Sequence, residues 1–484
     1  MPKHPNILWI QTDEQRPDSL GCYGSSWAKT PNLDALAQRG TLFRNCVCQS
    51  PVCVPSRISQ LSARYPQETN VLMNQVHYCE DVLPRDLVTF PEVFAHAGYR
   101  TASIGKWHTP VHPTWQENEH IENLHEYAGF FDLNENYDED AHEVLKRPGG
   151  TPIILAGRYP VADGNPSQLI TDKGIDFLGR HDRSQPFLLR VSHLWPHTPV
   201  LCPPPWDKLY DPDELPIRYF DEEAYATRSA RDRLFADTHR MRELPKEKIR
   251  QMWAQYMGLC AYVDHEVGRL LTALEEQGLA ENTIVVYSAD HGKALGEWGA
   301  GEKGCFDTEV WRVPFIWSSP GHIPQGRIDN DPCELLDTGE TLLQLAGLTD
   351  LRPENWRGRD LFKHPAPEAV FGEIGWGSAD CPLFDRLAGQ ERFKRPEPGR
   401  PYSDTLRLGV RTSRYRMDVT WLQHGDVTPP EARDGNLFDL ENDPDETRNL
   451  YNNPACRQTV ALHTGMLDAW WEEMDKPRDL FGST

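Results

Sequence analysis

Three runs of apolar and β-branched residues are distributed along the chain, and each one ends in polar residues. They are NILWIQTD (6–13), FLLRVSHL (187–194) and NTIVVYSAD (282–290). Runs of this kind, apolar on both faces, are typical of strands that are buried in a parallel sheet. The pattern therefore predicts three buried strands of such a sheet.

Helical periodicity fills parts of the chain between these runs. It is found in PNLDALAQRG (31–40), in FPEVFAHAGYR (90–100) and in the long stretch 248–278. In the long stretch, the apolar residues that recur at helical spacing are Met252, Tyr256, Val263, Val267 and Leu271. Strands that alternate with helices predict an α/β fold.

The pattern changes after about residue 370. The segment TLRLGVRTSRYRMDVTWL (405–422) alternates like an antiparallel hairpin, 436–450 is rich in turn residues, and 459–474 has helical periodicity. We therefore predict a catalytic domain over 1–370 and a smaller α+β subdomain over 371–484, with a small antiparallel sheet and a terminal helix.

Two further segments are predicted to lie outside the regular core. The Pro- and Arg-rich stretch 391–401 is typical of an exposed linker or loop. The section 109–180 is rich in acidic and aromatic residues, and we predict that it is an insertion that shapes a pocket.

Composition describes a large chain that can bury a sizeable core. Its 484 residues exceed the roughly 250–300 at which a single core usually stops growing. No run approaches the roughly 18 apolar residues of a membrane span, and the opening MPKHPNILWIQTDEQ has no signal-peptide pattern. We therefore predict a cytoplasmic protein with no membrane partner.

Charge and cysteine content exclude other classes. A formal charge of −23 repels nucleic acid, so we predict no nucleic-acid partner, and an anionic substrate requires a local basic pocket. The eleven cysteines are odd in number and lack paired spacing, which indicates reduced thiols rather than a disulfide framework. The oligomeric state stays open.

The carboxyl ends of the three predicted strands carry carboxylates and imidazoles. In open α/β sheets, ligands bind beyond these ends. A strand-end turn explains any one pair of such residues, but here three pairs coincide. The residues are Asp13 and Glu14, His193 and His197, and Asp290 and His291.

The segment PVCVPSR holds a cysteine between two prolines. Pro55 suits the first turn of a helix, which places Cys53 at its amino-terminal approach and Arg57 about one turn further on. Backbone amides and a guanidinium then converge on one spot and favour an anion. A buried structural cysteine is an equal alternative, and a zinc site with Cys46 and Cys48 is a weaker one because no matching Cys/His half follows.

The motif CVPSR (53–57) resembles the C-x-P-S-R signature of the formylglycine-dependent sulfatases, which belong to the alkaline phosphatase superfamily. The likeness extends to NILWIQTDEQRPDSLGCYG, to GYRTASIGKWH, to SADHG with GEKG and RVPFIW, and to NLFDLENDPDETRNL. It implies an alkaline phosphatase-like core, with a mixed, mostly parallel sheet between helices, and a sulfatase activity. It also implies a maturation enzyme that oxidises Cys53 to formylglycine.

The resemblance further implies one divalent metal. Asp13, Glu14, Asp290 and His291 would bind it together with a hydrated formylglycine oxygen from Cys53. Carboxylate oxygens suit Ca²⁺, with Mn²⁺ or Mg²⁺ as alternatives. Glu14 stands where many relatives carry aspartate, and His291 where many arylsulfatases carry asparagine; imidazole slightly favours Mn²⁺.

Catalytic roles follow from the same resemblance. Arg57 would orient the diol, and Lys106 and Lys303 would hold the sulfate oxygens as point charges. Asn74 is a further candidate for substrate binding. These four side chains would form the anion pocket that the charge of the chain requires.

Histidines supply the predicted proton transfers. In the family scheme, the diol oxygen attacks sulfur, His197 protonates the leaving alcohol, and His108 removes a proton from the other diol hydroxyl to expel sulfate. His193 competes with His197 for the role of the acid.

Two other functions stay open. A phosphonate monoester or phosphodiester hydrolase on the same scaffold shares the Asp-His metal pair and Asn74, but it typically has other residues in place of Ser56, Lys106 and His108. A non-catalytic anion-binding protein would have an unmodified Cys53. The ester class stays open between a sulfated carbohydrate, an aryl sulfate and a small alkyl sulfate, and Trp115, Trp195 and Trp298 are candidates to stack on it.

Overall fold

The computed structural model describes residues 4–76, 79–111, 117–120, 143–149, 153–378, 380–381, 383–388, 395, 397 and 403–474. The strands are, in chain order, β1 (Asn6–Thr12), β2 (Thr41–Val47), β3 (Arg100–Gly105), β4 (Glu117–His120), β5 (Leu145–Lys146), β6 (Ile154–Ala156), β7 (Phe187–Ser192), β8 (Thr283–Ala289), β9 (Ala294–Leu295), β10 (Gly301–Glu302), β11 (Phe315–Ser318), β12 (Arg327–Glu334), β13 (Val370–Ile374), β14 (Thr405–Arg411), β15 (Tyr415–Gln423), β16 (Asp426–Val427) and β17 (Gly435–Asp439). The α-helices are α1 (Pro31–Gln38), α2 (Cys53–Ser62), α3 (Pro66–Thr69), α4 (Phe90–His96), α5 (Pro166–Arg180), α6 (Glu222–Thr227), α7 (Ala230–His239), α8 (Lys246–Glu276), α9 (Thr308–Trp311), α10 (Asp337–Ala346), α11 (Leu383–Leu387) and α12 (Arg457–Glu473).

Eight strands form a central sheet in the spatial order β12-β2-β11-β8-β1-β7-β3-β4. Parallel pairing joins β8, β1, β7, β3 and β4 in series, and it also joins β12 to β2. Strand β11 is antiparallel to both of its neighbours. The prediction of an α/β fold with a mixed, mostly parallel sheet is therefore confirmed.

Successive residues of β1 point to opposite faces of this sheet, as the period of two in a strand requires. Ile7 and Trp9 belong to a core that includes side chains of α2, α4 and α10. Leu8 and Ile10 belong to a second core that includes side chains of α1, α5 and α8. Helices therefore cover both faces, which explains why the strand is apolar along its whole length.

The carboxyl ends of β8, β1, β7 and β3 lie side by side because these strands are parallel neighbours. The residues directly after them are Asp290, Asp13, His193 and Lys106. Gly105 has φ +96°, and a Cβ at this position would lie 2.0 Å from the carbonyl oxygen of Ser192. Only glycine permits this close approach, so Gly105 allows β3 to end beside β7 and to bring Lys106 to the shared edge.

A second sheet follows in the last quarter of the chain. Strands β13, β14, β15 and β16 pair antiparallel in that order, and β17 pairs with β15. Leu467 and Trp470 of α12 pack in one cluster with Leu408 and Val419 of this sheet. The predicted hairpin over 405–422 and the predicted terminal helix are confirmed.

Other sequence predictions have mixed outcomes. Strand β13 begins at Val370, beside the predicted boundary, although the division into 1–370 and 371–484 stays a prediction. The segment 436–450 starts with most of β17 and is not made of turns alone. Most of the predicted linker 391–401 lies outside the described residues.

The predicted insertion over 109–180 is wrong for its last part. Residues 112–116, 121–142 and 150–152 lie outside the described residues. The section ends in α5, which Asn165 caps by accepting a hydrogen bond from the backbone N–H of Gln168. Ile170 and Phe177 of this helix belong to the core beside α8 because α5 covers one face of the sheet.

Among the described residues, none of the helices combines the length and the apolar composition that crossing a membrane requires. None of the eleven cysteines is paired in a disulfide, in agreement with the prediction that they form no disulfide framework. The cytoplasmic location stays a prediction.

Candidate active site

Cys53 is the first residue of α2 and is fully buried at the shared edge of the sheet. Its Sγ lies 3.1 Å from Lys303 Nζ and 3.2 Å from His291 Nε2. Asp13 Oδ1 and Lys106 Nζ are 3.8 Å and 3.9 Å from the same sulfur. The predicted helix with Pro55 in its first turn is confirmed, and it begins at Cys53 itself. The side chain of Cys53 is the point on which four charged groups converge.

The amino-terminal turn of α2 is held by a side chain from the following loop. Asn74 Oδ1 accepts a hydrogen bond from the backbone N–H of Val54 at 3.0 Å. This contact satisfies one of the amides that have no partner within the helix. Asn74 therefore supports the helix end that presents Cys53, and its role in substrate binding stays a prediction.

Arg57 joins the carboxylates that follow β1 and β8. Its Nε lies 2.8 Å from Asp290 Oδ2, and one terminal nitrogen lies 2.7 Å from Asp13 Oδ2. Its other terminal nitrogen donates to Gln11 Oε1 at 3.2 Å and to Ser192 Oγ at 3.1 Å. Burial alone would lower the pKa of Arg57, but the two carboxylates raise it. The guanidinium is therefore a permanent charge that fixes both carboxylates.

Four possible ligand atoms lie within 4.8 Å of one another, on Asp13, Cys53, Asp290 and His291. His291 Nδ1 lies 2.8 Å from the carbonyl oxygen of Gly292. A carbonyl oxygen only accepts, so Nδ1 donates and Nε2 is the ring atom that can bind a cation. Two buried carboxylates, one imidazole nitrogen and residue 53 form a donor set that fits a divalent cation.

Glu14 lies beside this group and has a different set of partners. Its backbone has φ +60°, in the left-handed region. One carboxylate oxygen lies 2.6 Å from Lys293 Nζ, while the other contacts Lys303 Nζ and lies 3.4 Å from His197 Nε2. Glu14 groups with Asp13 and His197 as possible ligands. Its predicted place in the metal shell stays a prediction.

The charges around Cys53 favour its anionic form. Burial and the carboxylate of Asp13 favour the neutral thiol. The positive charges of Lys106, Lys303 and His291 outweigh both, so they hold the pKa of Cys53 well below its usual value. A site that stabilises an anion on residue 53 also attracts an anionic ester to the same position.

The buried groups next to Cys53 have pKa values that are shifted in different directions. Burial raises the pKa of Asp290 to about 6 against the effect of Arg57. Burial lowers the pKa of His291, but Asp290 and Cys53 raise it to a net value of about 9. For Glu14, burial is outweighed by His197, Lys293 and Lys303, which place its pKa well below the usual range. The site therefore holds interleaved opposite charges out of contact with water.

The structure distinguishes the two histidines that follow β7. His197 Nε2 lies 2.8 Å from Lys303 Nζ, and its Nδ1 contacts the carbonyl oxygen of Thr198. His193 is fully buried, and in the described part of the chain neither of its ring nitrogens has a hydrogen-bond partner. Burial lowers the pKa of His193 to about 4. His197, which is 17% exposed, is thus the histidine that faces the charged cluster.

His108 lies on the loop after β3, two residues beyond Lys106. It is half-buried and has φ +50°. Lys106 Nζ is 2.6 Å from Asp13 Oδ2. The loop thus brings one cation into the centre of the site, and the role of His108 as a base stays a prediction.

The sequence reasoning missed Lys293 and Glu302. Lys293 Nζ lies 2.6 Å from Glu14 and 2.7 Å from Glu302 Oε1. Lys293 directly follows the motif SADHG (288–292), and Glu302 lies within GEKG (301–304). These positions are the signal that the sequence offers, because Lys293 and Glu14 are 279 positions apart along the chain.

Two other sequence hypotheses are also tested by position. Cys46 and Cys48 belong to neither of the possible ligand groups that the described residues form, which argues against a zinc site with Cys53. Trp195 is fully buried in the core and cannot stack on a substrate from that position.

Comparison with known proteins agrees with this geometry. Residues 5–348 match the protein family described as Sulfatase. An ulvan-active sulfatase of Formosa agariphila is 30% identical in an alignment of 381 positions, gaps included, which covers 76% of this chain and 67% of that protein. An N-acetylglucosamine-6-O-sulfatase of Bacteroides thetaiotaomicron is 27% identical in an alignment of 506 positions, gaps included, which covers 93% of this chain and 83% of that protein.

Solved structures share the architecture. A phosphonate monoester hydrolase of Agrobacterium radiobacter has a TM-score of 0.72 at 21% identity, over 98% of this chain and 97% of that chain. A protein in complex with its substrate D-glucosamine-2-N,6-O-disulfate has a TM-score of 0.71 at 20% identity, over 98% and 99% of the two chains. The predicted alkaline phosphatase-like fold is confirmed.

Proposed function

Because the chain belongs to the sulfatase family and is a sulfuric ester hydrolase, we propose that it acts through a formylglycine made from Cys53, beside one divalent metal ion. The observation that carries this proposal is the position of Cys53. Its side chain is buried at the start of α2, where Lys303, His291, Asp13 and Lys106 converge on it.

Formylglycine at position 53, once hydrated, would supply an oxygen nucleophile that accepts the sulfuryl group and releases sulfate by elimination. Its formation turns the Cβ of Cys53 into an aldehyde carbon and removes the sulfur. The step uses an external oxidant and a maturation enzyme, which acts before or during folding because Cys53 is fully buried in the folded chain. The positive charges of Lys106, Lys303 and His291 hold the pKa of the thiol below its usual value, which supports an anionic atom at this position.

The metal would polarise a sulfuryl oxygen and favour the ionised hydroxyl of the hydrated residue. Asp13, Asp290 and His291 would hold it with the oxygen of residue 53, and Glu14 is the further ligand that we propose. Ca²⁺ is our first choice because carboxylate oxygens dominate this set, and Mn²⁺ is the second because of the imidazole. Arg57 keeps both aspartates in place through its two ion pairs.

Two lysines would bind the sulfate group. Lys106 and Lys303 lie within 4 Å of Cys53 Sγ, on loops that follow different strands. Each ammonium is a compact point charge that can offset the charge of a sulfuryl oxygen in a buried site. Asn74 would contribute indirectly, because it holds the amide of Val54 at the start of α2.

His197 would protonate the leaving alcohol, and His108 would remove a proton from residue 53 to release sulfate. The contact of His197 Nδ1 with a carbonyl oxygen requires Nδ1 to donate, so Nε2 is the nitrogen that faces the site, where Lys303 Nζ lies 2.8 Å away. Nε2 would carry the transferred proton once Lys303 turns to the sulfate group. Glu14 Oε1 lies 3.4 Å from Nε2 and contacts the imidazole on the side that faces the site.

The substrate class is a sulfate ester of a carbohydrate or of another small molecule. The N-acetylglucosamine-6-O-sulfatase and ulvan-active sulfatase relatives support sulfated sugars as the first class to test. Phosphonate ester hydrolysis is the second candidate, because a phosphonate monoester hydrolase shares the fold over nearly the whole chain.

Matched substrates would separate these functions. Aryl sulfate and aryl phosphonate monoesters with the same leaving group should be compared by kcat/KM, on enzyme produced with the maturation enzyme and supplied with Ca²⁺ or Mn²⁺. We expect the sulfate ester to be preferred. A preference for the phosphonate ester would contradict the proposal and support the second candidate.

A further inference from the structure

Lys293 is a buried lysine that neither the sequence motifs nor the proposed reaction uses. It follows the Asp-His-Gly motif, and its side chain is 1% exposed. Its Nζ lies between two carboxylates, at 2.6 Å from Glu14 Oε2 and 2.7 Å from Glu302 Oε1. A buried ammonium is costly unless carboxylates pair with it, so the three side chains form one charged unit.

This unit continues on its other side to His197. Glu302 Oε2 accepts a hydrogen bond from Thr198 Oγ1 at 3.4 Å, and the carbonyl oxygen of Thr198 contacts His197 Nδ1. His197 Nε2 lies 3.4 Å from Glu14 Oε1, and Lys303 Nζ contacts both of these atoms. The contacts therefore form a closed ring that runs Glu14, Lys293, Glu302, Thr198, His197 and back to Glu14.

The backbone around the ring is also constrained. Glu302 pairs with Ala294 in the short hairpin of β9 and β10, directly after Lys293. The carbonyl oxygen of Lys293 accepts a hydrogen bond from Arg16 at 3.1 Å. Glu302 has φ +78°, in the left-handed region that a non-glycine residue rarely adopts. Such a conformation persists only where surrounding contacts enforce it.

We propose that Lys293 and Glu302 are positioning residues that hold His197 in the orientation in which it protonates the leaving alcohol. This inference rests on the proposed function. Lys293 acts through Glu14, which faces the Nε2 side of the imidazole, and Glu302 acts through Thr198, which faces the Nδ1 side. One ring thus orients the two nitrogens of a single histidine.

The ring makes a prediction that a merely structural role does not share. Proton donation matters most when the leaving alcohol is a strong base, and it matters little when the leaving group is a stable anion. Loss of the ring should therefore slow esters of basic alcohols much more than nitrophenyl sulfate. A general loss of folded enzyme would instead slow all substrates by the same factor.

The experiment measures kcat/KM for a series of aryl sulfates, from nitrophenyl to alkylphenyl leaving groups, on mature metal-loaded enzyme. The variants are Lys293→Met, Glu302→Gln and the double variant, with His197→Ala as the reference. For Lys293→Met we expect a loss of about 10–100-fold on the alkylphenyl ester and less than about threefold on the nitrophenyl ester. Lys248→Met, which changes an exposed lysine of α8, is the control and should leave both rates unchanged.

The variants also test each other. If Lys293 and Glu302 act through one ring, the double variant should lose little more than the worse single variant. Glu302→Gln is nearly isosteric, so it carries the test if Lys293→Met does not fold. Equal losses on both substrates, or no loss, would overturn the inference.

The reference variants Cys53→Ala and His197→Ala distinguish a failure of the proposed function from a failure of this inference. If Cys53→Ala keeps its sulfatase activity, the proposed chemistry is wrong whatever the ring does. If His197→Ala shows no dependence on the leaving group, the assignment of the acid is wrong and the positioning inference is overturned with it. If both reference variants behave as expected, the result for Lys293 and Glu302 decides the inference alone.

Discussion

Buried charges occupy two regions of this molecule, and the two regions use them differently. At the active site, cations and carboxylates surround Cys53. The positive charges of Lys106, Lys303 and His291 outweigh the carboxylate of Asp13 there and hold the pKa of the thiol below its usual value. Between the second sheet and the main body, Arg416 is fully buried and contacts three carboxylates. The first region is arranged to receive an anion, and the second satisfies its own charges.

The satisfied region has well-defined contacts. Arg416 lies 2.6 Å from Glu446 and 3.0 Å from Asp307, and it also contacts Asp418. Glu446 in turn accepts hydrogen bonds from the backbone N–H and the hydroxyl of Thr308 at 2.9 Å. These contacts join the second sheet to the start of α9, so we expect their loss to affect stability and not chemistry.

The largest effect is expected from a substitution at the active site. Cys53→Ala should reduce kcat by at least about 10⁴-fold, because no other side chain can replace the nucleophile. Cys48→Ala is the matched control, since Cys48 is also a buried thiol and lies outside the possible ligand groups formed by the described residues. Release of sulfate under saturating substrate is the measurement. More than a tenth of the normal rate for Cys53→Ala would contradict the account.

The second prediction concerns the acid. His197→Ala should slow turnover by about 10²–10⁴-fold, because the leaving alcohol would lose its proton donor. The control is His193→Ala, where the imidazole has a pKa of about 4 and is neutral at pH 7. A loss below tenfold at position 197, with a larger loss at 193, would transfer the role to His193.

The third prediction concerns the buried ion pairs of Arg416, between the second sheet and the main body. Arg416→Met should lower the free energy of unfolding by about 3–5 kcal/mol, because it leaves buried carboxylates without a partner. Denaturant unfolding measures this, and kcat per folded molecule should stay close to that of the unchanged protein. Arg39→Met is the control, because the pair of Arg39 with Glu275 is about half exposed and is worth roughly 1 kcal/mol or less. Loss of kcat without loss of stability would reverse the distinction between the two regions.

The smallest expected effect is a pH dependence of stability at β13. Burial raises the pKa of Glu373 to about 8, although its carboxylate accepts a hydrogen bond from the backbone N–H of Gln67 at 2.9 Å. The unfolded chain has a value of about 4.3. The folded state therefore binds this proton more tightly, so its contribution to stability is complete below about pH 4.3 and is lost as the pH rises towards 8.

Glu373→Gln has no carboxyl group to ionise at this position, so it should not lose this part of the stability as the pH rises. Its free energy of unfolding, relative to the unchanged protein, should increase between pH 5 and pH 8 by an amount on the order of 1–3 kcal/mol. Urea unfolding at pH 5, 6.5 and 8 and constant ionic strength measures it. A difference that does not change with pH would show that Glu373 is already ionised at pH 5.

Much of the fold could be predicted because the relevant signals are local. The apolar run that became β1 and the periodicity that became α8 depend on neighbouring residues, and both elements form within a few residues of their predicted bounds. The helix at Cys53 followed from Pro55 alone. In contrast, α5 was missed because its acidic and aromatic surroundings hid its periodicity.

The site was predicted in part for the same reason. Asp13 and Asp290 lie at the ends of predicted strands, and Lys106 lies in the segment GYRTASIGKWH, so the strand pattern located the first two and the motif located the third. The partners of Glu14 could not be predicted, because its contacts with Lys293 and Lys303 join residues that are 279 and 289 positions apart. Such contacts depend on the register of the sheet and on loop geometry, which no local pattern specifies.

The most direct test is the mass of the peptide that carries residue 53, taken from enzyme whose sulfatase rate is also known. Produced with the maturation enzyme, the peptide should be lighter by about 18 Da than its cysteine form, and the rate should rise in proportion to the modified fraction. A fully active enzyme whose Cys53 is still an intact thiol would contradict the account.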